Sequence, residues 1–167
     1  MRNKLAVLLL MVIAAGPALA GSLNFSGRAG YFTPSGGSSS LMYGLSATYN
    51  LDSSLSVRAA VDTTTYSINN ISTTFTPVTL DLIYMQTYAE TIHPYIGAGL
   101  SYNTTTAGGS SSQTSGAQIE TGIKFEMGGF TAGVEYRYLL ADLRDTNTGS
   151  STFNGYATGA FTQTIPF

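Results

Sequence analysis

The sequence predicts an all-β fold, an eight-stranded antiparallel up-and-down transmembrane β-barrel, and three observations carry the prediction. Apolar and polar residues alternate with period two in segment after segment. Charged residues in the middle of those segments all fall on the polar side. Each segment has roughly the nine to eleven residues that a tilted strand needs to cross a bilayer. Such strands suit a soluble sheet with its charges in water, or a barrel with its charges in the lumen and its apolar side chains in lipid. Composition separates the two. Charged residues make up 10% of the chain, against roughly 25% in ordinary soluble domains. Tyr (11), Phe (8) and Gly (19) are plentiful, which is poor material for a soluble surface and good material for a barrel wall.

Residues 1–20 read as an export signal. Arg2 and Lys4 give the positive start, Leu5 to Ala15 is an apolar run too short to span a bilayer as a helix, and Ala18-Leu19-Ala20 is a small-residue cleavage box. Residues 21–167 are then one domain. Cysteine is absent, which excludes disulfides and lipoprotein attachment. Removing Arg2 and Lys4 leaves five basic against nine acidic side chains, a net of −4. That balance gives no footprint for nucleic acid.

The first strand, about Leu23–Thr33, sets Leu23, Phe25, Ala29 and Tyr31 against Asn24, Ser26 and Arg28. The second, about Leu41–Leu51, sets Leu41, Tyr43, Leu45, Ala47 and Tyr49 against Met42, Gly44, Ser46, Thr48 and Asn50. The third, about Leu55–Tyr66, sets Val57, Ala59 and Val61 against Arg58, Asp62 and Thr64. The fourth, about Thr76–Ala89, sets Val78, Leu80, Leu82 and Tyr84 against Thr79 and Asp81. The fifth, about Tyr95–Thr105, sets Ile96, Ala98, Leu100 and Tyr102 against Gly97, Gly99 and Ser101. The sixth, about Ala117–Met127, sets Ile119, Ile123 and Phe125 against Glu120, Lys124 and Glu126. The seventh, about Phe130–Leu140, sets Ala132, Val134, Tyr136 and Tyr138 against Glu135 and Arg137. The eighth, about Phe153–Phe167, carries Phe161, Ile165 and Phe167 on one face.

Connection lengths alternate. Pro34–Ser40, Asn69–Phe75, Ala107–Gly116 and Asp142–Thr152 read as longer loops, and Asp52–Ser54, Glu90–Pro94 and Gly128–Gly129 as short turns. Short periplasmic turns and longer extracellular loops have this rhythm. Gly128-Gly129 suits a two-residue hairpin and pairs Met127 with Phe130. The Asp52–Ser54 turn pairs Leu51 with Leu55. Both turns keep outward residues on one face.

The export signal, the eight alternating strands, the terminal Phe167 and the stretch Pro94-Tyr95-Ile96-Gly97-Ala98-Gly99-Leu100-Ser101-Tyr102 resemble the outer-membrane β-barrel superfamily of small porin-like proteins, the OmpA/OmpX/OmpW kind. Gly30-Tyr31-Phe32-Thr33-Pro34 is similar to many of its members. The resemblance covers residues 21–167. Its motifs are architectural and imply a fold and an outer-membrane location of a diderm bacterium rather than an activity. It also implies outer-membrane lipid as surroundings, with the C-terminal strand as the signal read by the barrel assembly machinery. Pro166 departs from the usual form of that signal.

Nine charges fall on the inner face: Arg28, Arg58, Asp62, Asp81, Glu120, Lys124, Glu126, Glu135 and Arg137. Side chains roughly fill an eight-stranded barrel, so these charges need partners. The Gly128-Gly129 register places Glu120 across from Arg137 and Lys124 diagonal to Glu135. On the outer face, Tyr49, Tyr88, Phe125, Phe130 and Phe167 form one aromatic belt near the turn end. Tyr31, Tyr43, Tyr102 and Tyr138, with Phe153, form another near the loop end.

No catalytic, metal or cofactor residue is expected. His93, the only histidine, reads as a solvated turn residue at the end opposite the one where barrel enzymes act on lipid. One histidine without cysteine makes a poor zinc site. Asp145-Thr146-Asn147-Thr148-Gly149 starts like a calcium loop but lacks the closing glutamate, and reads as a loop tip. Gly97-Ala98-Gly99 lies in a strand and makes room for bulky neighbours. The expected function is non-enzymatic, a monomeric barrel with a charge-filled closed lumen and a structural or interaction role. The alternative is a narrow channel or conduit for small hydrophobic molecules.

Overall fold

The computed structural model describes residues 22–68, 70–158 and 163–164. The strands among them are β1 (Ser22–Thr33), β2 (Ser40–Asn50), β3 (Leu55–Ile68), β4 (Ile71–Met85), β5 (Ile92–Ala107), β6 (Ser110–Met127), β7 (Phe130–Asp142), β8 (Asp145–Thr158) and the two-residue β9 (Gln163–Thr164). Neighbours in sequence pair antiparallel from β1 to β8, and β1 pairs with β2 on one side and β8 on the other. Eight strands therefore close into a barrel with no free edge along its wall. β9 lies on β1, at Ser22 and Leu23, beyond the last β8 pair. The export signal and its cleavage site, and Phe161, Ile165, Pro166 and Phe167, lie outside the described residues.

The period-two pattern becomes an inside-out protein. Leu45, Ile96, Leu100 and Ile119 are 62–66% exposed, whereas Asp62, Asp81, Glu135 and Arg137 are 1–2% exposed. Burying carboxylates while leaving leucines outside is unfavourable in water and favourable when the outside is hydrocarbon.

Two hairpins carry the register. Met127 pairs with Phe130 across Gly128 and Gly129, both at positive φ (52° and 91°), the backbone a two-residue primed turn requires. At the β2–β3 turn the Leu51 N–H donates to the Leu55 carbonyl at 2.9 Å. Outward residues stay outward through both.

The expected rhythm of long and short connections is not what the chain does. At the end away from the termini, pairing continues to Ile68↔Ile71 and to tight tips at 108–109 and 143–144, and among the described residues only 34–39 is a longer loop. At the other end the turns are 51–54, 86–91 and 128–129. The segments expected as loops, Ile71–Phe75, Ser110–Gly116 and Asp145–Thr152, are strand. They look like coil because they are Ser-, Thr- and Gly-rich. Yet β-branched threonine suits a strand, and a ladder standing in water needs no apolar face.

The outward face of β3–β6 changes character in one alternation step. Val61 gives way to Thr63, Val78 to Thr76, Tyr102 to Thr104 and Ala117 to Ser115. Below the step the surface is apolar; above it, hydroxylated.

One defect lies in the wall. Pro77 sits in the middle of β4 with its side chain buried inside. The β3–β4 pairing runs to Val61↔Val78 and resumes at Thr64↔Phe75. Proline has no N–H to offer the Asp62 carbonyl opposite it. The hydroxyls of Thr63 and Thr76 bridge the gap at 3.3 Å. Amide hydrogen exchange in the folded barrel is expected to be fastest, within the spanning part of β3 and β4, at the residues flanking this gap. Uniform protection along both strands would show that the ladder is intact there.

Candidate functional site

The inward side chains form a ring of charge around one residue. Glu135 on β7 accepts from Arg28 of β1 (Nη2 to Oε1, 2.7 Å), Arg58 of β3 (Nη1 to Oε2, 2.7 Å), Arg137 of β7 (Nη2 to Oε1, 2.9 Å) and the Tyr95 hydroxyl of β5 (to Oε2, 2.8 Å). Each carboxylate oxygen takes two donors, the full capacity of the group. The remaining arms reach other acids. Arg137 donates to Asp62 at 3.0 Å and lies 3.6 Å from Glu120. Arg58 donates to Glu120 and lies 3.7 Å from Asp81. Asp81 also accepts from Gln118 and, at 3.1 Å, from Thr79. Three guanidiniums and four carboxylates thus link β1, β3, β4, β6 and β7. Arginine suits this task because its planar fork donates in several directions at once.

Room for the acids comes from glycine. Each of the four carboxylates faces a glycine on a neighbouring strand: Asp62↔Gly44, Asp81↔Gly99, Glu120↔Gly97 and Glu135↔Gly122. A methyl group at Gly44, Gly99 or Gly97 would collide with the carboxylate opposite, and one at Gly122 with the Tyr95 ring. Alternating inward glycines were visible in the sequence; their one-to-one opposition to acids is set by register.

Seven of the nine inner-face charges expected from sequence lie in this ring: Arg28, Arg58, Asp62, Asp81, Glu120, Glu135 and Arg137. Glu120 is the cross-strand partner of Arg137. Lys124 does stand diagonal to Glu135, opposite Gly133, but the two do not pair. Lys124 bonds Glu126 at 2.8 Å instead, because three arginines and a tyrosine already fill Glu135. Lys124 and Glu126 form a half-exposed pair at the mouth nearer the termini. His93 joins them. It is not a solvated turn residue: β5 begins at Ile92, and His93 points inward, 7% exposed, with Nε2 3.8 Å from Glu126. The Asp145–Gly149 segment is the start of β8, not a loop tip. At the opposite end Arg144 hydrogen-bonds Asp142 and holds its carboxyl below the ordinary range.

Sequence reasoning missed what lies above the ring. Phe32, Met42, Phe75 and Leu139 pack together inside the barrel, with Phe32 and Phe75 stacked at 5.2 Å and Tyr66 and Ala141 against them. Phe32 and Leu139 neighbour outward tyrosines in sequence, so period two alone marks them as inward. Below the ring, towards the termini, is a cavity of about 360 Å³ with a mixed lining, polar at Asn24, Thr48 and Asn50 and apolar at Ile83, Met85 and Phe130. The outward aromatics fall as follows. Tyr31, Tyr43, Tyr102, Tyr138, Phe153 and Phe130 are exposed, Tyr49 and Phe125 half-buried, and Phe167 is outside the described residues, while Tyr88, expected on the fourth strand, lies exposed in the 86–91 turn because β4 ends at Met85. No three of His, Cys, Asp and Glu gather as a metal site among the described residues.

No protein-family profile matches the chain, and no curated protein matches it in sequence. Solved structures do. Neisserial surface protein A superposes with a TM-score of 0.65 at 22% identity, covering 85% of this chain and 97% of that one. The N-terminal β-barrel domain of Pseudomonas aeruginosa OprF gives 0.60 at 19%, covering 83% and 98%. The outer membrane enzyme PagL gives 0.54 at 20%, covering 81% and 97%. The fold is thus that of the small eight-stranded outer-membrane barrels, the OmpA/OmpX kind expected from sequence. At these identities the likeness is one of fold, and it spans a scaffold that elsewhere carries an enzyme.

Replacing Glu135 with Gln is expected to destabilise the barrel by about 3–5 kcal/mol, the usual cost of breaking a buried pair. Glu126→Gln at the mouth should cost under about 1 kcal/mol. Urea unfolding in lipid vesicles measures both, and equal costs would show that Glu135 is not the hub. Gly99→Val should lower stability as well by driving Asp81 from its place.

Proposed function

We propose that this chain is an integral outer-membrane β-barrel of a diderm bacterium whose lumen is closed and which acts without catalysis, in a structural or interaction role. The observation that carries this reading is the filling of the lumen: a ring of seven interlocked charges with a packed apolar cluster above it. An ion would have to break charge-assisted bonds in the ring and then pass Phe32, Met42, Phe75 and Leu139, which pack against one another inside the barrel. The outward tyrosines and phenylalanines near both ends of the apolar wall serve as interfacial anchors. The C-terminal strand is the part presented to the assembly machinery, and lipid is the partner of the outer face.

A non-enzymatic role is supported by where His93 lies. Its near acid is Glu126, at the mouth by the termini, away from the end that would face the outer leaflet's surface. The narrow-conduit reading has one observation in its favour, the cavity below the ring. That cavity is bounded at the ring by Arg28 and Arg58.

Reconstituted in planar bilayers, the processed protein is expected to be electrically silent, and steady open currents would support the conduit instead. Leu100→Arg on the outer face should cost about 2–4 kcal/mol when the barrel folds into lipid. The same change would be near neutral if that face met water.

A further inference from the structure

Above the apolar wall, β3 to β6 stand up as a four-stranded sheet whose outward face carries hydroxyls and no charge. The register sets Thr65, Thr74, Thr106 and Ser111 in one cross-strand row. Neighbouring strands lie about 4.7–4.9 Å apart, and the hydroxyls already touch: Thr65 to Thr74 at 3.1 Å, and Thr106 donating to Ser111 at 3.3 Å. A second row lies one step nearer the membrane, where Thr63 and Thr76 meet at 3.3 Å. At its edge the exposed Tyr102 ring is held by a 2.5 Å bond from its hydroxyl to Gln113. Every hydroxyl has one donor and two acceptor lone pairs, so each row keeps unused capacity of both kinds.

The charges of the chain are elsewhere. Of the basic residues from Gly21 onward, Arg28, Arg58, Lys124 and Arg137 belong to the lumen or its mouth, and Arg144 is paired with Asp142 on the β7–β8 tip. The tip that carries Arg144 lies beside β6, where the Leu143 N–H donates to the Ser115 carbonyl, but Asp142 already holds that guanidinium, so a phosphate or sulfate group approaching the rows would find no unpaired cation. A charged peptide would find no counter-charge either. A neutral polyhydroxyl ligand meets what it offers in return: donors and acceptors in alternation, and an aromatic face at the edge for its C–H side.

We propose that this face, the outward hydroxyl rows of β3–β6 with Tyr102 at their lower edge, binds uncharged saccharide at the outer surface of the membrane. The proposal rests on the membrane orientation given above for which sugar it meets, but its test does not. The processed barrel, refolded in a zwitterionic detergent without a sugar headgroup, is applied to an array of neutral, phosphorylated and sulfated glycans. Binding to neutral glycans is expected, with phosphorylated and sulfated forms of the same chains bound more weakly. The triple variant Thr65→Val, Thr74→Val, Thr106→Val keeps β-branched side chains and should bind at least about tenfold more weakly. If that variant does not fold, amide shift mapping of the native barrel with the best neutral glycan takes its place, with shifts expected on the two rows. Failure of every neutral glycan to bind, preference for the anionic forms, or undiminished binding by the triple variant overturns the proposal. Failure of the membrane reading shows separately, in the Leu100→Arg comparison.

Discussion

Glu135 is the group on which the interior depends. It lies in the lumen, shut off from water, and an isolated carboxylate there would cost several kcal/mol. It is tolerable because four donors from β1, β3, β5 and β7 converge on its two oxygens. Those donors come from alternate strands around the wall, so the carboxylate acts as a tie across the barrel rather than along one hairpin. The arginines, in turn, are tolerable because Asp62, Asp81 and Glu120 take their other arms. No member can be removed without leaving another buried and short of a partner.

Two constraints follow from packing that ring inside eight strands. The interior is narrow, so every carboxylate needs a neighbour with no side chain, and the glycines on β2, β5 and β6 supply it. The ring also occupies only the middle of the barrel. Above it the chain places aromatic and aliphatic side chains; below it, polar and apolar ones together around a cavity. The lumen thus passes from apolar to ionic to mixed along its axis, while the outer wall is apolar where the inside is charged.

Much of this was legible in the chain. Alternation marked the inner charges because a side-chain period of two leaves no freedom once one face is assigned, and the Gly128-Gly129 turn carried the Glu120–Arg137 pairing across to β7. Strand ends were legible only where an apolar residue stopped. Ser110–Gly116 and Asp145–Thr152 are strand although nothing apolar marks them, because pairing with the neighbouring strand, not burial, holds them extended. His93 was misplaced for a related reason: Pro94 looked like the end of a turn, whereas it is the third residue of β5.

The sequence by itself determined the number of wall strands, the facing of the residues inside the alternating segments and the charged character of the lumen, since these depend on local period and on composition. Only the tertiary structure decided which charges meet. Lys124 lies diagonal to Glu135 in register yet pairs with Glu126, because barrel closure brings Arg28 of β1 and Arg58 of β3 to Glu135 from across the lumen. Distances across a closed cylinder depend on every strand together, and no single hairpin contains them.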